Sequence, residues 1–457
     1  MFGQKKIKIN KILSDLVPKL RFFELFRKCF YKQYRGDASF IDRNIGKINR
    51  VFIMSIFVLI KINGLSAQSL NELLTIANTN NLDLKILESN YRAALEKAPQ
   101  VSQLPDPEIG LGAFPLPVET RLGAQIFRAS ATQMFPWKGV LEGKNNLELA
   151  KAKAIYEKIA VRQLTLHFQV KKAWLKLYEL EKSKAIIERN LILLDALDKL
   201  ALAKVESGKA SAADVLRVQL KTTELEQELA ILETAKSKPI ASINQLLNRP
   251  IDTPIFIKDS LDFAIIPFQK DTLMANIQAN HPMIKMFELQ QKISEEAIKV
   301  NTLNNKPTFG VGLDYIMVNE RSDANPSGNG RDIVQLRGMV KIPLYRQKYE
   351  AKEREEQLKI AALDDQKENV IGTYLAEIEK AYSDYKSAQL SVNLYQQQVE
   401  TTKAVLNILE SKYSADGNNF DELLRLEKEL IDYDLKTLKA IVHSHLAKYK
   451  IEQFITL

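Results

Sequence analysis

The chain has 457 residues, 46% of them hydrophobic and 26% charged, with a formal net charge of +9 and a single cysteine. A soluble chain of this length ordinarily divides into two or three domains. The charge invites a polyanion partner, yet 14 of the 65 Lys and Arg and only 4 of the 56 Asp and Glu fall in residues 1–67, leaving 51 basic against 52 acidic residues in a near-neutral body that gives nucleic acid no foothold.

The basic start reads as an export leader over residues 1–67. Arg43, Lys47 and Arg50 precede the apolar run Val51 to Ile60, and Leu65-Ser66-Ala67 offers a small-residue cleavage site. That run is too short to span a bilayer as a helix, and no later segment approaches the roughly 20 apolar residues required. The only cysteine, Cys29, lies within the leader, and its flank Phe26-Arg27-Lys28 is not that of a lipoprotein signal. The exported body therefore carries no disulfide, no thiolate metal site and no lipid anchor on cysteine. A chain of this kind crosses a membrane, if at all, with strands.

The body repeats itself. Leu73 to Lys85 matches Leu273 to Lys285 at a shift of 200 residues, and Pro107, Gly110 and Gly112 match Pro307, Gly310 and Gly312. Further on the shift is 208, pairing Ala173 and Trp174 with Ala381 and Tyr382, and Leu216 and Arg217 with Leu424 and Arg425. One supersecondary unit has been built twice, a first repeat over 68–250 and a second over 271–457, joined by a linker over 251–270.

Each copy has the same order of predicted elements. The first gives a helix at 70–98, strands at 107–114 and 122–134, a long helix at 139–206 and a returning helix at 212–247. The second gives a helix at 271–303, strands at 308–317 and 333–342, a long helix at 346–415 and a returning helix at 420–455. The returning helices carry heptad seams: Val215, Val218, Thr222, Leu225, Leu229 and Leu232 in one, Leu423, Leu426, Leu430, Tyr433, Thr437 and Ala440 in the other. Pro239 should kink or end the last turns of the first seam. At 1.5 Å per residue the 139–206 helix is roughly 100 Å long, about the length of the two shorter helices of its half stacked end to end. Such a bundle suits a hollow or rod-like assembly, not one globular core.

In the strand at 333–342, Val334, Leu336, Gly338, Val340 and Ile342 alternate with Gln335, Arg337, Met339 and Lys341. This is the apolar-out, polar-in pattern of a membrane barrel, and equally of an amphipathic hairpin on a soluble sheet. The Gly- and Asn-rich stretch 319–332 reads as a solvent loop. Four strands are too few for a transmembrane barrel, so closure requires several copies of the chain.

This order of elements resembles the TolC family of outer-membrane efflux proteins over residues 68–457. The likeness rests on the duplicated plan and on the runs Phe135-Pro136-Trp137-Lys138-Gly139, Ser207-Gly208 followed by Asp214-Val215-Leu216, and Ile243-Asn244-Gln245-Leu246-Leu247-Asn248. It implies a mainly α chain with a membrane β-barrel portion, four strands per chain in a trimeric 12-stranded barrel continuous with a long α-helical periplasmic tunnel. It also implies a homotrimer in the outer membrane, a periplasmic adaptor and an inner-membrane pump as partners, and passive conduction of substrates in place of catalysis.

On that resemblance the turns at Ser207, Gly208, Gly417 and Asn418 form periplasmic tips that meet the adaptor; glycine there has its own reason, since it tolerates the left-handed conformation that ends a helix. Asp214 and Glu422, equivalent at the 208 shift, stand where acids ring the mouth, with Asp416 and Asp421 beside them. Both acids also have capping-box spacing, Ser211 with Asp214 and Asn419 with Glu422, so each reads equally as a helix cap. Tyr413 resembles a family tyrosine that helps to close the tunnel, and is equally a packed aromatic; Asn418 and Asn419 occupy the stretch where some members carry its arginine partner. His167, His281, His443 and His445 form no ligand set, and no phosphate loop, nucleophile elbow or zinc motif is present, so no cofactor or metal is expected. The run from Pro117 to Gly139 resembles members paired with heavy-metal cation pumps, with drug efflux and a type I secretion duct as alternatives. A periplasmic coiled-coil adaptor or rod shares the leader and heptads but needs no alternating strands.

Overall fold

The computed structural model describes residues 69–267, 269–416 and 418–455. The leader with Cys29, and the tip residue Gly417, lie outside the described residues, as does the side chain of Asp416. Residues 68–457 form one compact unit, so the two repeats pack as halves of a single body.

The first repeat begins with α1 (Leu70–Asn80), α2 (Leu82–Leu95) and the single turn α3 (Lys97–Val101), where one helix over 70–98 is expected. The second begins with α7 (Lys270–Asn280) and α8 (Pro282–Asn304). Both breaks fall at one repeat position, Asn81 and His281, and both have a local cause. Each residue adopts extended ψ near 130° and turns its side chain onto the next helix: Asn81 accepts from the N–H groups of Asp83 and Leu84, and His281 Nδ1 accepts from Met283 N at 3.1 Å. Pro282 at the first helical position completes the second break. Ser69 and Glu72 form a reciprocal capping box at the start of α1.

The strands are β1 (Glu108–Thr120), β2 (Gly123–Phe135), β3 (Thr308–Val318) and β4 (Ile333–Lys341), hydrogen-bonded in the order β1-β2-β3-β4, every pair antiparallel. β1 runs six residues beyond its expected end at 114. It carries Pro115 and Pro117 where its pairing with β2 shifts register between Ala113 and Val118, so the missing N–H groups cost no bond to β2. The hairpin then closes at Gly123, whose φ of +129° and close approach to the Asn319 carbonyl leave no room for a Cβ. The 319–332 loop folds back over this turn, with Gly330 N donating to Leu122 O at 2.8 Å.

The long helices are α4 (Val140–Glu206) and α9 (Gln347–Asp416), each about 100 Å at 1.5 Å per residue. α4 returns through α5 (Ala212–Ala235) and α6 (Ser237–Leu246), α9 through α10 (Phe420–Glu452). The break between α5 and α6 at Lys236 lies three residues before Pro239, whose missing N–H would have bonded to Ala235. The heptad seams face inward: Val218, Leu225, Leu423 and Leu430 are buried with Ile187, Leu197, Leu406 and Tyr413 in one cluster toward the tips. A second cluster, around Leu73, Trp174, Tyr178, Ile243 and Val442, knits α1, α4, α6 and α10. The linker is pinned to both long helices: Tyr178 Oη of α4 accepts from Leu261 N at 2.9 Å, and Tyr385 Oη of α9 donates to Ala264 O at 2.8 Å.

Candidate functional site

Two regions gather the chemistry: the faces of the sheet and the tips where the long helices turn back. Register across the sheet assigns every strand residue to a face. One face presents Ile109 and Leu111 of β1, Phe127, Ala129 and Ala131 of β2, Phe309, Val311, Leu313, Tyr315 and Met317 of β3, and Val334, Leu336 and Val340 of β4. Apart from the half-buried Phe127 its large side chains stand open, from 40% for Met317 to 77% for Ile109, so an apolar surface is left uncovered on an isolated chain. The opposite face presents Gly110, Gly112, Arg128, Ser130, Thr132, Gly310, Gly312, Asp314, Gln335 and Arg337. The alternation expected for β4 thus recurs across the sheet, broken by Gln133 on the apolar face and by Met134, Ile316 and Met339 on the polar one.

At the centre of the polar face Asp314 is fully buried between two guanidinium groups. Arg128 of β2 donates to its Oδ1 from Nη2 at 2.9 Å and Nε at 3.2 Å, and Arg337 of β4 pairs through Nε with Oδ2. One carboxylate therefore ties the first hairpin to the second.

At the opposite end of the long helices, α4 ends in a turn with Gly208 at φ +69°, the left-handed geometry expected there. Ser211 starts α5, accepting from Ala213 N at 3.1 Å, but Asp214 does not complete a capping box: its carboxylate takes Arg217 Nη1 at 3.0 Å. The same nitrogen meets Asp421 Oδ1 of α10 at 2.9 Å, so one guanidinium joins two carboxylates across the two helical hairpins. In the second tip the left-handed residue is Asn419, φ +69°, which makes no side-chain cap; the box expected with Glu422 is not formed, and Glu422 stands instead 4.0 Å from Arg425. Lys204 donates to the carbonyl of Ser414, a further link between the ends of α4 and α9.

Tyr413 is fully buried against the Phe420 ring, centroids 4.8 Å apart, and its hydroxyl has no hydrogen-bond partner among the described residues. Burial, then the charge of Asp214, pushes its phenol above the ordinary value. Gly208, Ser211, Asp214, Asn418, Phe420 and Glu422 line an open groove of about 750 Å³ between the tip turns. The structure thus brings together Asp214, Asp421 and Tyr413, sets Glu422 against Arg425, and supplies Arg217 of α5 as the partner that Asp214 and Asp421 share. The signal for Arg217 was its place one turn after Asp214; its cross-hairpin contact is tertiary.

The histidines serve the helices. His281 is buried against Tyr374 and Phe454, and desolvation pulls it down to about 4, which suits an imidazole whose Nδ1 accepts a cap bond. His445 bonds to Asp262 O at 2.8 Å and His167 to Asn78 Oδ1 at 2.9 Å.

A four-stranded antiparallel sheet carried on paired long helices, with the unit duplicated in one chain, is the fold of a class of outer-membrane channels. The chain superposes on the outer-membrane channel OprN with a TM-score of 0.65 at 18% identity, covering 84% of this chain and 89% of that one. It matches the CmeC outer-membrane channel of Campylobacter jejuni with a TM-score of 0.66 at 11% identity, over 85% and 86% of the two chains. It matches CusC, solved for the conformational changes that accompany folding and transmembrane channel formation, with a TM-score of 0.64 at 14% identity, over 85% and 94%. No family model and no curated protein sequence matches the chain. The fold implied by the sequence resemblance is therefore the fold observed.

Proposed function

We propose that the chain is the outer-membrane channel of a tripartite efflux system, a passive duct that receives substrates from an inner-membrane pump through a periplasmic adaptor. The observation that carries this reading is the sheet. It has nine or more residues in every strand, enough to cross a hydrocarbon core when tilted, an apolar face open on one side and a polar face on the other. The outer edges of β1 and β4 have no neighbour among the described residues, and an unpaired edge in lipid costs several kcal/mol per backbone group. Three copies, edge to edge, remove all such edges in a 12-stranded barrel. The likeness to outer-membrane channels supports the same assembly.

The tips then face the periplasm. Arg217, held between Asp214 and Asp421, latches the two hairpins of one chain in the closed position, and the turns at Ser207, Gly208 and Asn418 meet the adaptor. Cargo is selected by the pump, with heavy-metal cations and drugs as the classes suggested by sequence. A coiled-coil adaptor has no use for a sheet with an uncovered apolar face.

Fractionation and gel migration test this reading. Recovery with outer membranes, as an oligomer whose migration changes on heating, is expected; recovery as a soluble periplasmic monomer overturns it.

A further inference from the structure

The duplication places an arginine at one position twice. In the first hairpin Arg128 lies directly opposite Gly112, and in the second Arg337 lies directly opposite Gly312; the two glycines are themselves equivalent at the 200-residue shift. The glycines make room on the polar face. At Gly312 an added Cβ would meet Thr132 Oγ1 at 3.2 Å and Arg337 Nη2 at 3.4 Å, so the Arg337 guanidinium lies over bare backbone, while at Gly112 nothing lies within 4 Å and the space opposite Arg128 stays open.

The counter-charge is not duplicated. Asp314 of β3 bonds to both arginines, whereas the equivalent position of β1 is Phe114. Among the described residues no other carboxylate pairs with either guanidinium, so each chain carries a net charge of +1 at this level. Glu108 and Lys341, on the same face toward the helices, cancel one another. Arg128 and Arg337 are 39% and 30% exposed while Asp314 is sealed, so what the lumen meets is guanidinium.

We infer that Arg128 and Arg337 form an oxyanion-binding belt inside the barrel, six guanidinium groups and three screened carboxylates around the lumen of a trimer. This rests on the channel reading above. Guanidinium forks match phosphate and carboxylate oxygens, and rings of cationic side chains in a low-dielectric wall concentrate anions. The belt favours cargo bearing phosphate or carboxylate groups and opposes free metal cations at the outer end of the duct. Asp314 holds the arginines in register and does not touch the solute.

Planar-bilayer recordings of the intact protein under a KCl gradient, with inorganic tripolyphosphate added on the strand side, test the belt. The native channel is expected to be blocked. In the neutral combination Arg128→Gln, Asp314→Asn and Arg337→Gln the block weakens at least about tenfold and the reversal potential moves toward potassium selectivity. The pair Arg128→Lys and Arg337→Lys keeps the charge and should retain the native reversal potential. Absence of any native conductance defeats the channel reading itself. A neutral variant that conducts with native reversal potential and native block overturns the belt, as does a lysine pair that behaves like the neutral variant.

Discussion

The sheet end and the tip end of this chain use the same three-group motif with the charges exchanged. In the sheet one carboxylate, Asp314, holds two guanidinium groups; at the tips one guanidinium, Arg217, holds two carboxylates. The settings differ as much as the signs. Asp314 is sealed within the polar face, while Arg217 and Asp421 are 45% and 69% exposed. A sealed ion cannot lose its partners without severe desolvation cost, whereas an exposed pair trades them for water at little cost. The first arrangement suits a wall and the second a latch that opens and closes.

The sharpest way to break this comparison is to delete the sealed member. Asp314→Ala leaves two guanidinium groups facing one another across β3 without their shared counter-charge, and is expected to destabilise the protein more than any change at His281, Glu427 or Arg217. Denaturant titration of the assembled protein should show this as lost oligomer. A native midpoint would mean that the trio is ornamental.

A smaller effect is expected between the two ends, at His281. Burial lowers this imidazole from 6.5 to about 4, so between those values the unfolded chain binds a proton that the folded chain refuses. Stability from this group is complete above pH 6.5 and is lost as pH falls toward 4, by up to about 3 kcal/mol per chain. His281→Asn installs the residue found at the equivalent cap, Asn81, and should flatten the dependence measured by thermal melts from pH 4 to 7.

Nearer the tips, Glu427 of α10 is buried in the heptad seam, and burial first, then Glu410, raises it from 4.5 to about 7. The folded chain here keeps a proton that the unfolded chain has released, so stability falls as pH rises from 4.5 through 7. Glu427→Gln, which restores the Gln219 of the first repeat, should raise the melting temperature at pH 8, by the equivalent of about 1–2 kcal/mol, and leave it unchanged at pH 4.5. A gain at both values would assign the effect to packing.

The smallest effect on stability belongs to the latch. Arg217→Gln should cost about 1 kcal/mol, because Arg217 and Asp421 are solvent-exposed and only Asp214, 10% exposed, loses a shielded partner, yet increase conductance in planar bilayers by releasing the tips. A loss of stability as large as that of Asp314→Ala would erase the distinction between wall and latch.

Most of the architecture was legible because duplication doubles each signal: a strand alternation or heptad seam that is ambiguous once is confirmed by its copy. The break at Asn81 was not, since asparagine does not break a helical pattern until its side chain turns onto the next helix; the one at His281 did have a signal, Pro282, which went unread. β1 passed unread beyond Phe114 because Pro115 and Pro117 disguise a strand as a loop. Asp214 was read as a cap or a mouth acid, and the structure has it bind Arg217. The trio around Asp314 was invisible because its members are far apart in the chain and meet only through strand pairing.

The central claim is that β4 of one copy pairs with β1 of the next. The repeat even supplies the register: Arg128 and Arg337 are equivalent, so Lys341 corresponds to Thr132, and since Thr132 pairs with Gly312, Lys341 should pair with Gly112 of the neighbouring copy. Within one chain two strands separate these positions, and their rungs meet β3 at Thr308 and Ile316, so they lie roughly 30 Å apart at the usual strand spacing and rise, far beyond the reach of a disulfide. Gly112→Cys combined with Lys341→Cys, oxidised in outer-membrane vesicles and run on a denaturing gel, should give a ladder that ends at three chains. Monomers alone, or a ladder that continues past three, would contradict the trimeric barrel.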